Sequence, residues 1–303
     1  MGKTLIVIAG ATGSGKTDLS IHIAQHYQAP IISTDSRQFY RGIPIGTAQP
    51  DAEQLAAVEH HFIASHSLTQ DFNCGAYEQE ALARLEELFK SHDTVVAVGG
   101  SGLYIKALCE GMDDLPEVEP ALRSSLAEEL KTLGIEAMAE RLRELDPAFY
   151  EVVDRKNPAR VLRALEVCIA TGKPYSTLRT GQRRERPFGI VKVATDMDRA
   201  TLYERIDRRV DIMIEQGLEQ EARAVYHLRE LNSLQTVGYR EMFDYFDGTT
   251  TREEAIELIK RNSRRYAKRQ LTWFRRDEEF AWFHPADKEK IIEYIDAKIC
   301  ELK

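Results

Sequence analysis

Eight residues near the amino end offer the first chemistry. Gly10-Ala11-Thr12-Gly13-Ser14-Gly15-Lys16-Thr17 fits G-x-x-x-x-G-K-[ST] and lies between an apolar run, Thr4 to Ala9, and a helical pattern from Asp18 to Tyr27. In that setting successive backbone N–H groups cradle phosphates at a helix N-terminus, the lysine adds charge and the threonine hydroxyl holds Mg²⁺. The loop, the nucleotide-binding type familiar from ATP-binding proteins, therefore reads as a diphosphate or triphosphate site, Gly10 to Thr17, with Thr17 as the metal ligand.

The loop does not choose the reaction. Many phosphate-loop enzymes add an apolar strand ending in Asp to order the metal, but the run Thr94 to Val98 ends in Gly99-Gly100-Ser101-Gly102 with no acid. The acid follows the second strand instead, as Asp35. A carboxylate at a strand's carboxyl end faces the crevice where open α/β sheets bind ligands. It can serve as general base for a nucleophile, as a metal ligand in a small-molecule kinase, or only as the cap of an Asx-turn. Ser101 offers a hydroxyl to a leaving-group oxygen. Arg205, Arg208 and Arg209 share one helical pattern, and any one of them can clamp phosphate while the others face solvent. His22 and His26, spaced four apart, lack a third ligand and read as helix-surface residues.

These groups need a scaffold. Thr4–Ala9, Pro30–Ser33 and Thr94–Val98 alternate with helical patterns, the arrangement of a doubly wound parallel sheet. From Leu115 to Gly181 the texture is helical, punctuated by Pro116, Pro120, Gly134 and Pro147, before strand-like Ile190–Thr195 returns. Helices then follow at 199–216, 219–231, 253–276 and 288–302. The expected fold is α/β: a phosphate-loop NTPase-like core from 1–113 and 187–303, with an all-α module inserted at 114–186.

The 303 residues carry 41 Lys+Arg and 49 Asp+Glu, a net charge of −8 that argues against a nucleic-acid partner. The distribution argues the opposite. Residues 260–276, KRNSRRYAKRQLTWFRR, hold eight basic residues and no acid, leaving −16 on the other 286. Interleaved with Tyr266, Trp273 and Phe274, the cations suit RNA: Lys and Arg meet phosphates while aromatic faces stack on bases. The four cysteines are scattered, with no C-x-x-C, so neither a zinc site nor a disulfide framework is expected. No apolar run reaches the ~20 residues of a membrane span; a soluble, cytoplasmic monomer is expected.

At these residues the chain resembles the tRNA dimethylallyltransferases of bacterial type. The matching segments are GATGSGKT (10–17), STDSRQFYRGIPIGTA (33–48), VGGSGLYIKALCEG (98–111), NPARVLRALEV (157–167), SLQTVGYREM (233–242) and AKRQLTWFRR (267–276). The resemblance implies Mg²⁺-dependent transfer of a dimethylallyl group from dimethylallyl diphosphate to the exocyclic N6 amine of the adenosine 3′ of the anticodon. It implies that the phosphate loop holds diphosphate, that Asp35 is the base, and that Lys16, Ser101 and Arg209 serve the leaving group. It further implies that the inserted module grips the anticodon stem-loop. Contacts to tRNA are implied at Asp35, Ser36, Arg37, Gln38, Ser101, Arg123, Ala159, Arg160, Val161, Leu162 and Arg163, and along Lys268, Arg269, Gln270, Leu271, Thr272, Trp273, Phe274 and Arg275. One departure is Ser101, where the family commonly has Thr; the hydroxyl is kept. Free-adenylate prenyl transfer, small-molecule phosphorylation and RNA binding without catalysis are the rivals, and the basic stripe weighs against the first two.

Overall fold

The computed structural model describes residues 2–302. Six strands form one sheet, all pairs parallel: β1 (Thr4–Gly10), β2 (Ile31–Ser33), β3 (His60–His61), β4 (Thr94–Gly99), β5 (Gly189–Thr195) and β6 (Ala281–Phe283), in spatial order β3-β2-β4-β1-β5-β6. β1 is central and every one of its residues is buried, which is why it reads as an unbroken apolar run rather than an alternating one. The edge strands β3 and β6 were not expected. At two and three residues, His-His and Ala-Trp-Phe, they carry too little pattern to be recognised.

Parallel strands need crossovers, and helices supply them. In chain order these are α1 (Lys16–Tyr27), α2 (Ala52–Ala57), α3 (Cys74–Leu88), α4 (Gly102–Glu110), α5 (Pro120–Leu145), α6 (Pro147–Val152), α7 (Pro158–Thr171), α8 (Tyr175–Leu178), α9 (Arg199–Glu215), α10 (Leu218–Val225), α11 (Tyr239–Phe246), α12 (Arg252–Phe274) and α13 (Lys288–Glu301). On one face of the sheet Leu5, Val7, Ile32 and Val95 pack among Ala81 and Leu85 of α3 and Ile105 and Leu108 of α4. On the other, Ile6, Ile8, Val96 and Val193 meet Leu19 and Ile23 of α1 and Ile291 and Ile295 of α13. Each such aliphatic side chain contributes about 1.5–3 kcal/mol by leaving water, so the carboxyl ends of β1, β2 and β4 are firmly placed. The segment expected as one helix over 219–231 ends at Val225 and tightens into a 3₁₀ turn.

The chain divides into two compact units, Met1–Cys109 with Glu185–Lys303, and Glu110–Arg184. The second is all-helical, built on Leu126, Met138, Leu142, Phe149, Val161 and Leu165. Gly134, at φ 81°, breaks α5 into two helical stretches. Buried Asp146 knits the unit, its carboxylate accepting from Phe149 N–H, Ser176 N–H and the Ser176 hydroxyl. Among the described residues no helix is long and apolar enough to cross a membrane.

Candidate functional site

The phosphate loop runs from the end of β1 to the start of α1. Gly15 caps α1 in the left-handed region (φ 82°) with no side-chain bond to the first helical amides, so those N–H groups remain free to meet an anion. A residue with a Cβ is strained there. Ser14, 1% exposed, is pinned by its hydroxyl to that of Thr195 on β5 at 2.6 Å. Lys16 donates to the Ala11 carbonyl at 3.2 Å. Burial lowers its pKa to about 8, opposed by the pull of Asp35 and reinforced by repulsion from Arg209.

Asp35 and Arg209 therefore both lie within electrostatic reach of Lys16. Asp35 does form the Asx-turn, accepting Arg37 N–H on Oδ1 at 3.0 Å. Its Oδ2 has no hydrogen-bond partner among the described residues. The turn and the chemical reading coexist: one oxygen shapes the loop while the carboxylate stays close enough to act on both cations.

The geometry separates the three arginines. Arg208 is exposed, and Arg205 spends its Nε on the Gly13 carbonyl at 2.9 Å. Arg209 turns inward, donating to the Thr12 hydroxyl, with Nε buried and unpartnered. Burial depresses its pKa, with Asp35 pulling it back.

Ser101 is 9% exposed, accepts Ser36 N–H at 3.0 Å and donates to Ser36 Oγ at 3.1 Å. Its proton is thus engaged with the loop that carries Asp35. Tyr266 completes this corner. Its phenol is pushed up to about 12 by burial and by Asp35, with the neighbouring Ser101 hydroxyl partly offsetting both. Tyr266 was legible only as one aromatic in a basic run, since nothing in the sequence connects it to Asp35.

The stripe on α12 resolves into two populations. Arg261, Arg265, Lys268, Arg269, Thr272, Trp273, Arg275 and Arg276 are exposed. Lys260 and Arg264 are not available: Lys260 reaches Asp211 at 2.8 Å, and Arg264 grips both oxygens of Asp207 at 2.5 and 2.6 Å, both acids on α9. Two residues expected at the RNA contact have side chains that point inward. Phe274 is 1% exposed in the core, and Gln270, 5% exposed, bonds Thr12 N–H and the Gly100 carbonyl. Leu271 is half-buried against Leu202 and Ile206. Gln38 is likewise committed: its amide donates to the Ala48 carbonyl at 2.7 Å and accepts from the Ser33 hydroxyl at 3.2 Å. Arg37 donates to the Asn232 carbonyl.

Within the helical unit, Val161 is buried and Leu162 half-buried in its own core. Ala159 and Arg160 are exposed at the start of α7. Arg123 and Arg163 flank Glu166 at 3.6 and 3.2 Å.

A family model described as IPP transferase matches residues 38–277. The chain is 50% identical to tRNA dimethylallyltransferase 1 of Phocaeicola vulgatus over 97% of this chain and 98% of that one. It is 51% identical to tRNA dimethylallyltransferase 2 of Porphyromonas gingivalis, over 95% and 97%. Among solved structures it is similar to the tRNA isopentenylpyrophosphate transferase of Bacillus halodurans (36% identity, 99% and 97% covered, TM-score 0.72). It is also similar to a eukaryotic dimethylallyltransferase acting on tRNA (27% identity, 89% and 69% covered, TM-score 0.74).

Proposed function

The chain belongs to the IPP transferase family, and from that premise we propose that it transfers a dimethylallyl group from dimethylallyl diphosphate to the N6 amine of the adenosine 3′ of the anticodon in tRNA. The observation that carries this reading is a carboxylate, Asp35, within electrostatic reach of two half-buried cations, Lys16 and Arg209, at a phosphate loop.

The exocyclic amine is a poor nucleophile because its lone pair is delocalised into the ring. As N6 attacks the allylic carbon, the C–N bond forms, the carbon–oxygen bond to diphosphate breaks, and one N6 proton passes to Asp35. Charge grows on the departing diphosphate, where the α1 amides, Lys16 and Arg209 meet it. Ser101 holds the Asp35 loop through Ser36. The adenine must leave its stack to reach Asp35. The exposed cations of α12 lie on the same helix as Tyr266 and steer the phosphodiester backbone.

The donor set suits Mg²⁺. Thr17 carries a hydroxyl that makes no protein hydrogen bond among the described residues and would hold the ion, leaving the Asp35 carboxylate to the proton. A single hard oxygen fits an ion that keeps several waters and takes the rest of its shell from phosphate. When bound, Mg²⁺ neutralises diphosphate charge.

The test is to incubate labelled dimethylallyl diphosphate with unmodified tRNA, AMP or ATP and analyse the nucleosides by mass. Label in tRNA adenosine alone supports the proposal. Label in AMP or ATP, or phosphate transfer from ATP, overturns it.

A further inference from the structure

Gln270 is the most buried polar residue of an otherwise cationic stretch. Its Oε1 accepts Thr12 N–H at 2.8 Å, and its Nε2 donates to the Gly100 carbonyl at 2.9 Å. Gly100 is obligatory in this arrangement, because a Cβ there collides with the Gln270 amide. Thr12 in turn presents its hydroxyl to Arg209. Tyr266 lies one turn before it, near Ser101, and the exposed Trp273 nearly one turn after, packed over Gly102. The outward positions Lys268 and Arg269 are exposed.

We propose that Gln270 is a positioning residue: it fixes the phosphate loop, through Thr12, against α12 and so aims Arg209 at the diphosphate. The inference rests on the transfer reaction proposed above and gives its phosphate loop an anchor in the helix that faces RNA. A buried amide satisfied at both ends rigidifies what it joins, and its loss orphans both partners, Thr12 N–H and Gly100 C=O. Thr12, freed, no longer holds the guanidinium in a fixed place, and misplacement by an ångström is costly in a preorganised site.

The experiment compares wild type with Gln270→Leu and Gln270→Met, the second preserving an unbranched chain of similar length. Three quantities are read: calorimetric affinity for dimethylallyl diphosphate without tRNA, tRNA affinity across a salt series, and the single-turnover rate. Expected is a fall of about tenfold or more in diphosphate affinity and rate, with tRNA affinity and salt slope within about twofold. Thr12→Val, which keeps shape and removes the hydroxyl, is expected to lose a similar amount, and the double variant no more than either alone. Weaker tRNA binding with a flatter salt slope and intact diphosphate affinity makes Gln270 a direct RNA contact and overturns the proposal, as do additive losses. If Gln270→Leu fails to fold, the Met variant decides by the same criteria. Failure of the wild type to prenylate tRNA defeats the reaction reading alone, since the diphosphate measurement stands without RNA.

Discussion

Arg209 donates to the hydroxyl of Thr12, and its own Nε is buried with no hydrogen-bond partner among the described residues. A buried donor without an acceptor costs about 1–3 kcal/mol, a penalty relieved by a ligand that brings oxygens to the loop. Arg209→Lys keeps the charge but removes the planar fork and the Nε–H. Diphosphate affinity is expected to fall about tenfold to a hundredfold, the equivalent of a lost charge-assisted bond. Arg208→Lys, at an exposed position, is expected to leave it unchanged. Calorimetric titration with dimethylallyl diphosphate checks both; equal losses would remove the distinction between the two arginines.

Lys16 makes donor binding pH-dependent. Its pKa in the folded protein is about 8, below the ordinary 10.5, chiefly through burial. Between those values the unfolded chain holds a proton that the folded chain has released, so Lys16 makes stability rise with pH across that window and fall towards neutrality. A bound diphosphate favours the charged form and reverses the trend. Binding at about pH 9 is therefore expected to take up close to one proton per site, and at about pH 6.5 almost none. Calorimetry in buffers of different ionisation enthalpy measures this, and a pH-independent proton count would show that Lys16 is charged throughout.

Asp35→Asn retains an oxygen to accept Arg37 N–H, so the turn at 35–37 is expected to survive. The amide cannot accept the N6 proton. The transfer rate is expected to fall at least a hundredfold, within the usual range for general-base loss, while tRNA affinity changes by less than about threefold. Single-turnover rates beside filter-binding affinities separate the two. Near-normal turnover would leave Asp35 a loop cap and nothing more.

The parts legible in the sequence were those written contiguously. The phosphate loop is a single run of eight residues, and its strand and helix flank it directly, so Lys16 and Thr17 needed no tertiary knowledge. Asp35 was legible because it follows a strand. Tyr266, Gln270 and Trp273 were not, since their common face appears only once α12 is coiled and laid over Gly100 to Gly102. Within a basic run, that helix turns some members outward to solvent and others inward to the loop. Residue type alone could not sort them: Gln270 and Phe274 stand among the contacts that the family resemblance implies, and their side chains turn inward. The contact of the Ser101 hydroxyl with Ser36 was equally invisible in the sequence, since the two lie 65 residues apart.

Two classes of cation on one helix predict opposite phenotypes. Arg265 and Arg269 are exposed, with no carboxylate contact, Arg269 lying over the Tyr266 ring at 5.7 Å. Arg264, by contrast, is bound to both oxygens of Asp207 on α9. Each phosphate contact releases condensed counterions, contributing about 0.7–0.9 to the slope of log affinity against log salt. Arg265→Glu with Arg269→Glu is expected to weaken tRNA binding at least tenfold and to flatten that slope by about 1.5, with the melting temperature little altered because exposed positions contribute little to stability. Arg264→Glu sets a like charge against Asp207 and is expected to lower the melting temperature while leaving the salt slope near wild type. Filter binding from low to moderate salt, beside thermal melts of the same preparations, gives both readouts. Should Arg264→Glu flatten the slope as strongly as the exposed pair, the partition of α12 into an RNA-facing row and an α9-facing row would be wrong.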